Sequence, residues 1–141
     1  MYNINRFLEM HIRYPVALQE VKNGLKISHW IWYIFPQIKG LGKSYVSVYY
    51  GIDGIEEAKE YYNNPILREH LIEITNAVLT HKGKKTALEI FGETDSKKLK
   101  SCMTLFDIIE PDSVFSEVLD AFFNGKRDNM TIAIINNRKD Y

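Results

Sequence analysis

The chain has 141 residues, 45% hydrophobic and 26% charged, a composition that builds a core and excludes the disordered class. Its 18 basic and 18 acidic side chains cancel, so the whole-molecule field gives no reason to expect nucleic acid or an anionic membrane as partner. Cys102, the one cysteine, excludes an intramolecular disulfide and fits a cytoplasmic location; Met1 to Pro15 is too polar for a signal-peptide core, and no run reaches the ~20 apolar residues of a membrane helix.

The length suits a single globular domain, residues 1–141. Asn3 or Asn5 is placed to cap a first helix carrying Phe7, Met10 or His11, and Tyr14, which Pro15 breaks or restarts. Val16, Leu18 and Val21 continue the pattern to a stop at Asn23-Gly24. Ser28 is placed to cap a short helix over His29 to Phe35, ending before Pro36, and Gln37 to Lys43 reads as a loop. Tyr45, Val48 and Tyr49 favour a helix over a strand, since Ile55, Ala58 and Tyr62 follow at helical spacing behind Glu56 and Glu57. Pro65 opens the clearest helix, with Leu67, Leu71, Ile74, Val78 and Leu79 in one stripe. After a short segment closed by Gly92, Asp95 or Ser96 is expected to cap a helix bearing Leu99, Cys102, Met103 and Phe106. Ser113 starts another, stopped by Gly125; Thr131 to Ile135 suits a helix or a short strand, and Asn136 to Tyr141 is a polar tail. These elements predict a mainly α, compact multihelical domain, the alternative being α+β with a minor short strand pair.

The stretch from Ser28 to Ser44 holds both tryptophans, with Tyr33, Phe35, His29, Gln37, Gly40 and Gly42, a mixture suited to lining a pocket. Gly40-Leu-Gly-Lys43-Ser44 is not a phosphate-binding P-loop, because Gln37 stands where that motif needs its first glycine and no aliphatic strand precedes it. Gly40 and Gly42 still permit backbone amides to approach a ligand closely. Trp30 and Trp32, two apart on a helix, point about 200° apart, so one belongs to the core and the other offers a stacking face. His29 is the candidate acid or base, against the plain alternative of a buried imidazole bonded to backbone. Lys98, Ser101 and Thr104 follow the helix opening at Asp95 and form a candidate anion site, against a solvated lysine face. Cys102 sits in an apolar stripe as a small hydrophobe, and the scattered His11, His70 and His81 suggest no metal site.

Across nearly its whole length the chain resembles the family called domain of unknown function 1810. The matching residues are Arg6-Phe7 with Tyr14, Ala17-Leu18 and Gly24; Ser28-His-Trp-x-Trp-Tyr-Ile-Phe-Pro-Gln37 with Gly40-Leu-Gly42 and Ser44; and Tyr50-Gly-Ile52. They continue through Glu57-Ala58, Tyr61, Pro65-x-Leu67, Ile90-Phe-Gly92 with Asp95, Lys98-Leu99, Ser101-x-Met103-Thr-Leu-Phe106 and Phe123-x-Gly125-x-x-Asp128. The chain departs where the family usually has Ala-Gln, here Met10-His11, and serine, here Cys102. The resemblance implies a compact, mainly helical domain found chiefly in bacteria, with no established activity. Some members carry a calpastatin-like label, but calpastatin is disordered and this core-forming composition contradicts it.

Two functions compete. In the first, Trp30, Trp32, Gln37, Gly40, Gly42, Ser44, Lys98, Ser101 and Thr104 bind a small anionic planar ligand, nucleotide or ADP-ribose-like, whose glycosidic bond His29 would help to hydrolyse. In the second, exposed aromatics form a protein-interaction patch. The residues call for no cofactor and leave the oligomeric state open.

Overall fold

The structure, a computed structural model, describes residues 2–139. It is helical throughout: α1 (Asn5–Met10), a 3-10 turn (His11–Arg13), α2 (Tyr14–Asn23), α3 (Ile31–Ile34), α4 (Tyr45–Tyr50), α5 (Gly54–Asn63), α6 (Pro65–Leu79), α7 (Ala87–Ile109), α8 (Val114–Phe123) and α9 (Asn129–Lys139). Among the described residues the strand alternative is reduced to one isolated parallel bridge, Ile38 with Ile52. The open segment Thr131 to Ile135 is part of α9, and the last two residues of the polar tail lie outside the described residues.

The long α7 is the organising element, packing on α3, α5, α8 and α9, while α6 packs on α2, α5 and α8. Phe7, Trp30, Phe35, Tyr61, Leu99, Phe106 and Phe115 fill the shared core at 0% exposure. Their rings meet mainly tilted or edge-on, as Phe7 on Tyr61 does at 5.0 Å and 86°. That geometry sets the positive ring edge against a negative face, each such pair adding about 0.5–1.5 kcal/mol beyond burial.

Several helix ends differ from the expectation. Neither Asn3 nor Asn5 caps α1, which opens at Ile4 with no side-chain cap. Ser28 does not cap α3; its N–H and hydroxyl donate instead to Glu20, whose carboxylate competes better for them. Asp95 and Ser96 open no helix, because α7 has already begun at Thr86. There Thr86 Oγ1 accepts from the Glu89 N–H and Glu89 accepts from the Thr86 N–H. Gly92, at φ 81° and ψ 170°, breaks the helical geometry and closes the short first segment as expected, in a conformation only glycine adopts cheaply, and the chain resumes helix directly after it. Asp95 is therefore free to pair with Lys26, 2.7 Å away.

Candidate functional site

Past the Gly92 kink, Thr94, Lys97, Lys98 and Ser101 recur at i, i+3, i+4 and i+7 and present one face of α7 to a cavity of about 300 Å³. The opposite face of the same helix, with Leu99, Cys102, Met103 and Phe106, is buried in the core. Periodicity alone thus divides α7 into a core side and a site side.

The facing wall is an excursion of the chain whose two ends are pinned together. The Lys39 N–H donates to the Ile52 carbonyl and the Ile52 N–H to the Gln37 carbonyl, both at 2.8 Å, closing the base of residues 39–51. A compact loop with joined ends is a common carrier of function. Leu41, Gly42, Ser47, Tyr50 and Gly51 turn inward from it, beside Trp32, Gln37 and Ile38. Gly51 cannot carry a side chain, since a Cβ would stand 2.9 Å from the Lys39 Cα. Helix α4, within the excursion, has no fully buried residue. It is held from outside by Arg6, which donates to the Tyr49 and Gly51 carbonyls at 2.8 and 3.0 Å and pairs with the buried Glu57.

Asp128 and Met130, at the start of α9, complete the lining. The Asp128 N–H donates to Thr104 Oγ1 at 2.9 Å, and Asp128 Oδ2 accepts from the Thr131 N–H and hydroxyl. Its second carboxylate oxygen has no partner among the described residues. On the α7 side, Lys98 Nζ lies 3.8 Å from Asp95 Oδ1, but that carboxylate already holds the nearly buried Lys26 on its other oxygen. Lys97 has no carboxylate partner among the described residues. The cavity therefore offers two adjacent cations, an aromatic wall, a free carboxamide on Gln37 and one carboxylate oxygen.

Of the residues singled out from sequence, Trp32, Gln37, Gly42, Lys98 and Ser101 meet at this cavity. The others do not line it. Trp30 is fully buried, its indole N–H donating to Glu20 Oε1 at 2.9 Å, with Lys26 Nζ 4.8 Å from the ring centre and Phe91 against its edge. It is a core residue, not a ligand contact, because polar and aromatic partners cover it on every side. His29 is exposed and outside the lining of this cavity, so it is not placed to act on a ligand bound there. Ser44 is the exposed cap of α4, accepting from the Ser47 N–H at 3.2 Å. Gly40, at φ 114°, leaves its Cβ side against Ile134. Thr104 is buried and works through Asp128, and its hydroxyl donates to the Lys100 carbonyl. Sequence reasoning passed over Thr94, Lys97, Ser47 and Asp128 as site residues. Thr94 and Lys97 were findable, since stepping back from Ser101 by helical intervals reaches both.

A second polar cluster joins the turn after α1 to α6. His11 Nε2 lies 2.9 Å from the Tyr33 carbonyl and its Nδ1 2.8 Å from His70 Nδ1. A carbonyl only accepts, so His11 carries its proton on Nε2 and receives the His70 Nδ1–H on Nδ1. Burial pushes the His11 pKa down to about 4 against the raising effect of the Tyr33 carbonyl, with His70 lowering it further. Burial also pushes the Cys102 thiol well up, the state of an inert core thiol. A further hollow of about 390 Å³ lies by Tyr2, Ile55, Lys59 and Ile135; its lysine faces Glu56 at 4.0 Å, leaving little charge to recognise an anion.

The fold and the sequence together place the chain in a defined class. Residues 1–135 match the family described as "Protein of unknown function (DUF1810)", and the chain belongs to that family. Among solved structures it is similar to the conserved hypothetical protein Rv1873 from Mycobacterium tuberculosis, at 35% identity over 94% of this chain and 96% of that one, with a TM-score of 0.90. The two share one fold. No curated protein matches the chain. No helix among the described residues is long and apolar enough to cross a membrane.

Proposed function

We propose that the cavity between α7 and the 39–51 excursion binds a small anionic ligand carrying a planar ring. The observation that carries the reading is that Trp32 and the Lys97–Lys98 pair line the same cavity. A half-buried indole offers a stacking face, and the partly buried Lys98 with the exposed Lys97 beside it attracts an anion. At about 300 Å³ the space falls at the small end of ligand sites, which run from roughly 300 to 1,000 Å³. Hydrolysis of a glycosidic bond by His29 forms no part of the proposal, since that ring is outside the lining.

Tryptophan fluorescence tests it. Titration with nucleotides, ADP-ribose and sugar phosphates should change the emission of the wild type, and Trp32→Phe or Lys98→Ala should abolish the change. Unchanged emission and unchanged melting temperature with every compound would defeat the reading.

The second reading, a protein-interaction module, draws on the outer face of α4. Tyr45 and Tyr49 stack there at 6.0 Å and 12°, 81% and 42% exposed, with Val48 beside them. Loss of self-association or partner capture in Tyr45→Ser/Tyr49→Ser, with ligand binding absent, would favour it.

A further inference from the structure

We propose that the cavity is built for one nucleotide, with a base, a sugar and a single terminal phosphate, and not for a two-nucleotide ligand such as NAD or ADP-ribose. The inference rests on the reading of the cavity as a site for an anionic planar ligand, and narrows it.

Among the described residues the lining holds one cationic edge, one carboxylate and two aromatic rings, Trp32 and Tyr50. Among the described residues Lys97 and Lys98 are the only cations in the lining and are neighbours on one helix, so they make one anion site. Among the residues whose side chains are described, no lysine or arginine of the excursion or of α9 lines the cavity to receive a second phosphate. Trp32 supplies one indole for one base. Asp128 has the opposite preference: its unpartnered oxygen repels a phosphate and accepts from a hydroxyl or amine, the donors that a ribose or a base presents. A ligand that is anionic throughout would be mismatched at that end.

The spacing sets the length. Asp128 is fastened by its N–H to Thr104, so the carboxylate is referenced to α7 six residues beyond Lys98. At 1.5 Å per residue the backbone positions of Lys98 and Thr104 lie about 9 Å apart along the helix axis, on the order of the length of one nucleotide from phosphate to base. Gln37, whose carboxamide has no side-chain partner among the described residues, adds a donor and an acceptor for a base edge.

The test is calorimetric titration of the full chain with the four ribonucleoside 5′-monophosphates, their nucleosides, inorganic phosphate, ADP-ribose and NAD. It is repeated with Lys98→Ala and Asp128→Asn. Asparagine caps a helix as well as aspartate does, so the second variant keeps α9 while removing the charge. At least one monophosphate should bind about tenfold or more tighter than its nucleoside and than phosphate, the worth of one charge-assisted contact. Lys98→Ala should weaken both the monophosphate and phosphate, whereas Asp128→Asn should weaken the monophosphate alone. ADP-ribose or NAD binding tighter than every monophosphate, or phosphate binding as tightly as the nucleotides, would overturn the single-nucleotide assignment while leaving an anion cavity. An Asp128→Asn variant with unchanged nucleotide affinity would also overturn it. Binding of none of these compounds would remove the anion reading itself.

Discussion

Arg6 and Glu57, from helices α1 and α5, form an ion pair at 2.6 Å with side chains only 8% and 2% exposed. The same guanidinium reaches the Tyr49 and Gly51 carbonyls, and Glu57 Oε1 accepts the Asp53 N–H. One buried pair thus ties the outer wall of the cavity to the helical core. Arg6→Ala would strand a buried carboxylate and is expected to cost about 3–5 kcal/mol in chemical denaturation. Arg6→Lys should recover little of it, because an ammonium cannot reproduce the forked contacts to the Asn3, Tyr49 and Gly51 carbonyls and the Glu57 carboxylate. Full rescue by lysine would show that charge alone matters there.

Acid should unfold the protein in two windows. His11 is neutral in the folded state down to about pH 4, against an ordinary value of 6.5, so the unfolded chain takes up the proton first as pH falls. Its contribution is complete above pH 6.5 and is lost by about pH 4, for roughly 3 kcal/mol in total. Glu20 behaves in the second window. Burial opposes its ionisation, but hydrogen bonds from the Ser28 hydroxyl and N–H, the Ile27 N–H and the Trp30 indole outweigh that and hold its carboxyl down to about 2. The stability it adds is present above pH 4.5 and disappears toward pH 2. Denaturation curves of His11→Ala should flatten between pH 6.5 and 4, and those of Glu20→Gln below 4.5. A His11→Ala profile parallel to wild type would reject the first assignment.

The two tryptophans should answer differently to the same change. Trp30→Phe leaves a void in the core and removes a donor from Glu20, for an expected loss of about 2–3 kcal/mol. Trp32→Phe, at a half-buried cavity wall, should cost under about 1 kcal/mol. Equal losses would contradict the division between core and site.

The Tyr61 hydroxyl is fully buried and has no hydrogen-bond partner among the described residues. Burying it unpaired works against folding, so Tyr61→Phe, which keeps the ring against Phe7 and Phe106, should be neutral or stabilise by about 1 kcal/mol. A clear destabilisation in thermal melts would mean that the hydroxyl is bonded in solution.

Much of this protein follows from local order along the chain. The stripes of α6, α7 and α8, the start of α8 at Ser113 and the stop after α2 are legible because an apolar face and a capping group act within four residues of themselves. Lys98 and Ser101 were legible as neighbours for the same reason. Only the tertiary structure decided which faces meet. Trp30 precedes the first turn of α3, and its indole goes to the core because Glu20, Lys26 and Phe91, from α2, the following loop and α7, surround it. Asp128 joins Lys98 across a separation of thirty residues through a bond to Thr104, and His29, central to the aromatic stretch, is left on the surface. Such pairings depend on how helices stack, and no periodicity within one segment carries that information.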